Sequence, residues 1–345
     1  MSDPQVALVT TFLEPELLTE LRSRHPDTIF EYPEDLIPLP RYVGEHRAAD
    51  PSDDASLRRW RGLLERADIM FDFGPKQFHS QLAGLPRLRW IQATSAGVGQ
   101  FVRRVGLPSS QGVVVTTARG VHGRALAEFA VMATVYFNRD LPGILADQRD
   151  HRWTRRCGRL IAGQEVGIIG LGSVGQEVAL AMRAFGARTT GVARSLAGRS
   201  AEVLGVDRLI DLGEIDQALP TWDVLVLAVP HTDETEGMLS AHRISLFKPG
   251  ALLVNLARGS VVDEAALTVA LRSGRLAAAA LDVFREEPLP AASPLWDLPN
   301  LLVTPHSMST VEGENQLLAQ LFSDNLARFN QGRPLLNTFD PERLY

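Results

Sequence analysis

Residues 165–186 read EVGIIGLGSVGQEVALAMRAFG, in which three glycines with the spacing G-x-G-x-x-G separate a short apolar run from a helical pattern. Each glycine has a physical reason to be there. Gly170 allows a tight turn, Gly172 lets a ligand come close to the backbone, and Gly175 lets a helix pack against a strand. The segment therefore predicts a strand–turn–helix unit that binds a dinucleotide, with its phosphates at the helix N-terminus. The predicted cofactor-binding residues of this turn are Gly170, Gly172, Ser173, Val174 and Gly175.

The alternation of apolar runs and helical patterns continues on both sides of this unit. VALVTT lies near the N-terminus, while DVLVLAV and ALLVNLA follow the glycine run. Such alternation predicts an α/β protein with parallel sheets that helices cover on both faces. A chain of 345 residues is long enough for two domains of this kind.

The composition excludes several classes of protein. The net charge is −6 and no basic tract is present, so we expect no nucleic-acid partner. A single cysteine excludes an intrachain disulfide and a cysteine metal cluster, and we expect no metal. No apolar run reaches the length of about 18 residues that a membrane helix requires, and the N-terminus lacks the features of a signal peptide. We expect a soluble, cytoplasmic protein.

The end of the second predicted strand of the nucleotide unit bears on the choice of cofactor. Residues 188–195 read RTTGVARS, and Ala193 stands where a carboxylate usually binds the ribose hydroxyls of NAD. A carboxylate there would repel a 2′-phosphate, whereas Arg194 and Ser195 offer a guanidinium and a hydroxyl to it. This pattern predicts that NADP(H) is preferred, with NAD(H) still open. The alternative is that Arg194 stacks on the adenine without discriminating.

Further motifs bring a resemblance to a known family. TTARGVHGRALAEFAV precedes the glycine run, and NLARGSVVDEAAL (255–267), LDVFREEPLP (281–290) and TPH (304–306) follow it. With them the chain resembles the D-isomer-specific 2-hydroxyacid dehydrogenases, and its pattern is most similar to the NADP-using glyoxylate and hydroxypyruvate reductases. The resemblance implies two doubly wound parallel-sheet domains. A Rossmann cofactor domain (119–307) would be inserted into a discontinuous flavodoxin-like substrate domain (1–118 and 308–345).

The same resemblance implies a reaction and the residues that carry it. The reaction is hydride transfer between the nicotinamide and a small 2-oxo or 2-hydroxy acid. Arg258 matches the arginine that binds the acid, and His306 matches the acid/base that exchanges its proton. Glu287 matches the carboxylate that pairs with this imidazole, although Glu286 is adjacent and only the family register selects between them. Ala96, Gly97 and Val98 match the loop that binds the substrate. Asp282 matches the residue that accepts a hydrogen bond from the nicotinamide carboxamide.

The resemblance also leaves other functions open. A cofactor-sensing binding protein on the same scaffold, as in the carboxyl-terminal-binding corepressors, is the main alternative. Formate oxidation ranks lower, because the formate-site pattern around the histidine is not evident in TPHSMST (304–310). The helix around Glu128 and the extension that follows it resemble the dimerisation region of the family, so a homodimer is expected. The identity of the acid is left undetermined.

Overall fold

The computed structural model describes residues 4–46, 50–107 and 112–345, and the chain divides into two compact units. The first unit comprises Met1–Val121 and Thr310–Tyr345, and the second is His122–Ser309. The sequence predicts domain boundaries after residues 118 and 307, so the units divide a few residues further along the chain. The assignment of one unit to the substrate and the other to the cofactor stays a prediction.

Strands and helices alternate along most of the described ranges. The strands are β1 (Gln5–Val9), β2 (Thr28–Glu31), β3 (Ile69–Phe71), β4 (Trp90–Gln92), β5 (Val114–Thr116), β6 (Glu165–Ile169), β7 (Arg188–Ala193), β8 (Arg208–Asp211), β9 (Val224–Leu227), β10 (Leu252–Asn255), β11 (Ala278–Leu281) and β12 (Leu301–Val303). The helices are α1 (Pro15–Arg24), α2 (Asp54–Arg66), α3 (Gly99–Arg104), α4 (Gly123–Asn138), α5 (Leu141–Arg149), α6 (Ser173–Ala184), α7 (Ile215–Ala218), α8 (Ala241–Ser245), α9 (Glu264–Arg272) and α10 (Glu314–Asn330). In the described ranges, no helix has both the length and the apolar character that crossing a membrane requires.

The first unit is built on a parallel sheet in the order β2-β1-β3-β4-β5. The C-terminal helix α10 packs on this sheet, because Phe322 stacks on Trp90 with ring centroids 5.1 Å apart and meets Phe71 edge-on. All three rings are fully buried. Burial of large aromatic rings is among the strongest contributions to a core, so this contact holds the last helix to the N-terminal part of the chain.

The second unit is built on a larger parallel sheet in the order β12-β11-β10-β9-β6-β7-β8. Every residue of β9, β10 and β11 is buried, as expected for strands that helices cover on both faces. Two separate apolar clusters lie on the two faces of the sheet. The predicted fold class, α/β with two parallel sheets, is confirmed.

The glycine turn between β6 and α6 packs as tightly as its spacing predicts. Gly170 adopts φ +97°, a conformation that side chains disfavour. A Cβ on Gly175 would lie 1.9 Å from the carbonyl oxygen of Gly170, so the helix rests directly on the turn. A Cβ on Gly172 would meet nothing within 4 Å, because this residue faces open space.

We expect Gly175→Ala to destabilise the protein by about 2–3 kcal/mol, because the added methyl group must displace the backbone of the turn. The matched control is Gly172→Ala, which has open space and a φ of −77°, and which should change stability by less than about 1 kcal/mol. Urea denaturation monitored by fluorescence measures both values. Equal stabilities of the two variants would contradict the packing described here.

Candidate active site

Three adjacent parallel strands bring the predicted catalytic residues to one edge of the second sheet. Asn255, Leu281 and Val303 are aligned across β10, β11 and β12, and each is the last residue of its strand. The segments that follow these strands therefore leave the sheet side by side. They carry Arg258, Glu287 and His306, which are far apart in sequence.

The structure pairs His306 with Glu287. Nδ1 of His306 lies 2.7 Å from Oε2 of Glu287, and Oε1 of the same carboxylate accepts from the backbone N–H of Phe284 at 2.9 Å. A carboxylate only accepts hydrogen bonds, so Nδ1 carries the proton and Nε2 is the ring nitrogen that can exchange one with a substrate. Between the two neighbouring glutamates, it is Glu287 and not Glu286 that reaches the imidazole.

The electrostatics of the pair favour an ionised carboxylate. Burial alone would raise the pKa of Glu287, but the hydrogen bonds from His306 and Phe284 and the charge of Arg258 hold that pKa below its ordinary value. Glu287 is therefore a carboxylate near neutral pH. An ionised partner stabilises the imidazolium form of a histidine and fixes the orientation of its ring.

Arg258 lies at the start of a 3₁₀ turn after β10, where the backbone is held by Asn255. The side-chain oxygen of Asn255 accepts from the backbone N–H of Ala257 at 3.0 Å, and its amide group donates to the carbonyl of Arg258 at 3.2 Å. One guanidinium nitrogen donates to the carbonyl of Ala257 at 2.7 Å. Burial lowers the pKa of Arg258, against the opposing effect of Glu287, but a guanidinium stays charged.

Asp282, directly after β11, accepts hydrogen bonds from the segment that carries His306. Its side chain is only 2% exposed, and Oδ1 accepts from the Thr304 hydroxyl at 2.8 Å and from the Ser307 N–H at 3.0 Å. The N–H of Met308 lies 3.3 Å from both carboxylate oxygens. Burial raises the pKa of Asp282, although these donors and His306 work against that rise. The predicted contact of Asp282 with a carboxamide stays a prediction.

The N-terminus of α6 suits the phosphates of a dinucleotide. Gly172 is the N-cap residue, no side chain caps the helix there, and the space beside its Cα is open. Ser173 and Val174 form the first turn, so their backbone N–H groups and the positive end of the helix dipole are directed to the same place. These residues therefore fit the group that the glycine spacing predicts.

The three residues predicted to select the cofactor lie together at the end of β7. Ala193 is the last residue of the strand and is buried, whereas Arg194 and Ser195 follow it at the surface. Arg194 already has a carboxylate partner, because its Nη1 lies 3.2 Å from Oε2 of Glu234. The Ser195 hydroxyl accepts from the backbone N–H of Ala197 at 3.3 Å.

The predicted substrate loop lies in the first unit, between β4 and α3. Ala96 and Gly97 are exposed, and Val98 is the buried residue before the helix. The N–H of Gly97 donates to the Ser95 hydroxyl at 3.3 Å, so this loop is shaped in part by its own side chain. Its role toward a substrate stays a prediction.

One residue beside the His306–Glu287 pair was not foreseen from the sequence. Glu264, the first residue of α9, accepts from the backbone N–H of Arg285 at 2.5 Å. An acidic residue in a first helical turn is usually explained by the helix dipole, so VDEAAL contains no sign of this contact.

Among the described residues, no three His, Cys, Asp or Glu side chains converge as a metal site would require.

Comparison with known proteins gives consistent matches. The family model described as "D-isomer specific 2-hydroxyacid dehydrogenase, NAD binding domain" matches residues 131–307. The chain is 36% identical over 238 residues to the D-3-phosphoglycerate dehydrogenase of Mycobacterium bovis, a match that covers 68% of this chain and 44% of that protein. The chain thus spans less than half the length of that relative. It is 35% identical over 258 residues to the glyoxylate reductase of Thermococcus kodakarensis, covering 72% of this chain and 75% of that protein.

A solved structure agrees over nearly the full length. The D-isomer specific 2-hydroxyacid dehydrogenase from Xanthobacter autotrophicus Py2, crystallised with NADPH and MES, superimposes with a TM-score of 0.77 at 31% identity. The alignment covers 98% of this chain and 99% of that one. On these matches, the chain belongs to the D-isomer specific 2-hydroxyacid dehydrogenase family.

Proposed function

We propose that this protein is a D-2-hydroxyacid dehydrogenase that works mainly as a 2-oxoacid reductase and prefers NADP(H). The observation that carries the proposal is the hydrogen-bonded pair of His306 and Glu287, with Arg258 acting electrostatically on the same carboxylate. An acid/base histidine, its orienting carboxylate and a fixed cation are the groups that reduction of an anionic oxo acid requires. A relative with a similar sequence is named glyoxylate reductase, which favours a small 2-oxoacid as the substrate.

The reaction needs one hydride and one proton. A bound nicotinamide cofactor would supply the hydride to carbon 2 of the acid. Arg258 binds the carboxylate and carbonyl oxygens through its planar guanidinium and holds them in one plane. In its doubly protonated form, His306 donates the Nε2 proton to the carbonyl oxygen. The products are the 2-hydroxy acid and a neutral ring that keeps its proton on Nδ1. Glu287 keeps the ring in the tautomer that leaves Nε2 facing the reaction.

The preference for NADP(H) rests on the end of β7. A 2′-phosphate beside Ala193 meets no carboxylate from the strand, and Arg194 and Ser195 are adjacent. Glu234 competes for Arg194, but both side chains are more than half exposed. An exposed ion pair is worth about 0–1 kcal/mol, whereas a charge-assisted hydrogen bond is worth about 1.5–3 kcal/mol. The phosphate should therefore displace Glu234 from Arg194.

We further propose that a second copy of the chain covers one face of the second unit. The segment 151–160 forms neither helix nor strand and is exposed throughout, and Trp153 within it is 96% exposed. Arg156 and Arg152 of this segment donate hydrogen bonds to Asp147 and lower its pKa to about 2. Asp147 is therefore ionised, and keeps both arginines, at any pH above the ordinary range of a carboxyl. Tryptophan is enriched in protein–protein interfaces, so an exposed Trp153 on this segment favours a surface that a partner covers. The resemblance to the family's dimerisation region supports a second copy as that partner.

The proposed activity is tested with a panel of 2-oxoacids, assayed in the reducing direction with NADPH and NADH. We expect His306→Ala to lower kcat by about 10²–10⁴-fold, because the proton donor is lost, while the Kd for the cofactor measured by fluorescence is unchanged. His242→Ala removes an exposed histidine on α8 and is the control. Tight cofactor binding by the wild-type protein without turnover of any acid would contradict the proposal.

The cofactor preference is tested by the ratio of kcat/KM for NADPH and NADH at equal substrate. We expect at least about tenfold in favour of NADPH, the equivalent of one charge-assisted phosphate contact. The double substitution Ala193→Asp with Arg194→Ala should reverse the ratio, because it restores the carboxylate and removes the cation. Arg188→Ala, at the opposite end of the same strand, should leave the ratio unmoved. Parity in the wild-type protein would count against the prediction.

The dimer is tested by sedimentation velocity. We expect the wild-type protein to sediment as two copies of the 37.8 kDa chain, and Trp153→Glu to shift it toward one copy because it places a charge in the covered face. The matched control is Trp296→Glu, at another exposed tryptophan of the same unit. A wild-type protein that sediments as a single copy at micromolar concentration would rule the dimer out.

A further inference from the structure

Glu264 makes a contact that its position in the helix does not require. The N-terminus of α9 is already capped by Asp263, whose side chain accepts from the backbone N–H of Ala266 at 2.9 Å. The carboxylate of Glu264 is instead directed to the neighbouring loop, where Oε1 accepts from the backbone N–H of Arg285 at 2.5 Å. Asp263 thus caps the helix, and the carboxylate of Glu264 binds the loop.

This carboxylate lies in an unfavourable environment for a charge. Burial raises the pKa of Glu264, and the negative charge of Glu287 adds to that rise, although the Arg285 amide and charge oppose it. A glutamate that served only the helix dipole would do so at the surface without this penalty. The hydrogen bond to the loop is the interaction that offsets it.

The loop that Glu264 holds is the one that presents Glu287 to His306. A Cβ on Gly259 would lie 1.8 Å from the carbonyl carbon of Phe284, so the loop backbone rests directly on this glycine. The next peptide N–H, that of Arg285, is held by Glu264. The N–H of Phe284 itself holds Oε1 of Glu287 at 2.9 Å. Two consecutive peptide groups are thus fixed, and the second carboxylate oxygen of Glu287 is left to reach the imidazole.

The side chain of Arg285 makes a weaker interaction, an ion pair with Glu236. Its guanidinium lies 3.5 Å from Oε1 of Glu236, whose Oε2 lies 2.6 Å from Nε2 of His231. These side chains are partly exposed, and exposed ion pairs contribute little. The short bond from the backbone of Arg285 to Glu264 is therefore the stronger constraint on the loop.

We propose that Glu264 is a positioning residue that holds Glu287 against His306 through the backbone N–H of Arg285. Its effect on turnover rests on the proposed function, but its effect on the His306–Glu287 pair does not. The proposal requires an acceptor of the right reach, and it does not require a charge. The two requirements can be separated, because Glu264→Gln keeps the reach and removes the charge, while Glu264→Asp keeps the charge and shortens the reach.

The test compares Glu264→Gln, Glu264→Asp and Glu264→Ala with the wild-type protein. The first readout is the tautomer of the neutral His306 ring in the ligand-free protein, measured by ¹⁵N NMR. We expect the Nδ1–H form to dominate in the wild-type protein and in Glu264→Gln. In Glu264→Asp and Glu264→Ala it should give way to the Nε2–H form, because Glu287 no longer fixes the ring. Glu286→Ala, in the same loop, is the control and should behave as the wild-type protein.

The second readout is kcat with a 2-oxoacid substrate. Glu264→Asp and Glu264→Ala should lower it by about 10–100-fold, the effect of a small displacement of a catalytic group. Glu264→Gln should retain most of it, and the Kd for the cofactor should be unchanged in all variants. If Glu264→Ala does not fold, Glu264→Asp carries the same comparison, because it preserves the acidic first turn of α9.

Two outcomes would overturn the inference. One is a wild-type tautomer and kcat in Glu264→Asp, which would show that the reach of the carboxylate is irrelevant. The other is an equal loss in Glu264→Gln and Glu264→Asp, which would show that an uncharged acceptor of the right reach does not suffice. Absence of turnover in the wild-type protein would overturn the proposed function instead, and the tautomer comparison would still decide the role of Glu264.

Discussion

The register of three parallel strands is the constraint on which the candidate site depends. Asn255, Leu281 and Val303 stand side by side at the carboxyl ends of β10, β11 and β12. A slip of one residue in any of these strands would turn its side chains to the opposite face and move the segment that follows. Because β10 and β11 are packed on both faces, such a slip would place side chains of the wrong size in both apolar clusters and is strongly opposed. The position of the site is thus determined by burial in the sheet, before any of its own polar contacts form.

The polar contacts then determine the local geometry. His306 adopts φ +51°, a left-handed conformation that costs roughly 1–2 kcal/mol in a residue with a side chain. Asp282 accepts hydrogen bonds from Thr304, Ser307 and Met308 on both sides of it. A hydrogen bond to a charged group contributes about 1.5–3 kcal/mol, so these bonds oppose the strain. Loss of the carboxylate would leave buried donors unsatisfied, which gives Asp282 a structural role at the site whatever it does toward a cofactor.

The sequence was informative where function depends on residue type and spacing. The run Gly170–Gly175 predicted the turn, because Gly170 adopts a φ of +97° and a Cβ on Gly175 would overlap the carbonyl oxygen of Gly170. The alternation of apolar runs predicted parallel sheets, because buried strands must be apolar on both faces, and the resemblance implied two of them. The motifs around Arg258 and His306 predicted residues that the sheet brings to the same edge.

The contacts that sequence could not predict involve groups without a sequence signature. Glu264 binds a backbone N–H, which every residue except proline has, so its partner could not be recognised. Arg194 and Glu234 are 40 positions apart and meet only because the segments after two different strands lie near each other. The choice of Glu287 over Glu286 came from the resemblance alone, because the two residues are chemically identical and the backbone decides which one reaches the imidazole.

The two halves of the proposed function rest on contacts of different strength. The contacts around Asp282, Glu287 and Gly259 include hydrogen bonds from backbone N–H groups and a close backbone approach, so a change there alters stability as well as chemistry. Arg194 and Ser195 are exposed, and their side chains contribute little to the fold. Cofactor preference can therefore change by surface substitution at little cost to stability, whereas the His306–Glu287 pair cannot. This difference follows from the backbone groups that the contacts involve, and it makes the end of β7 the part of the site that is free to vary.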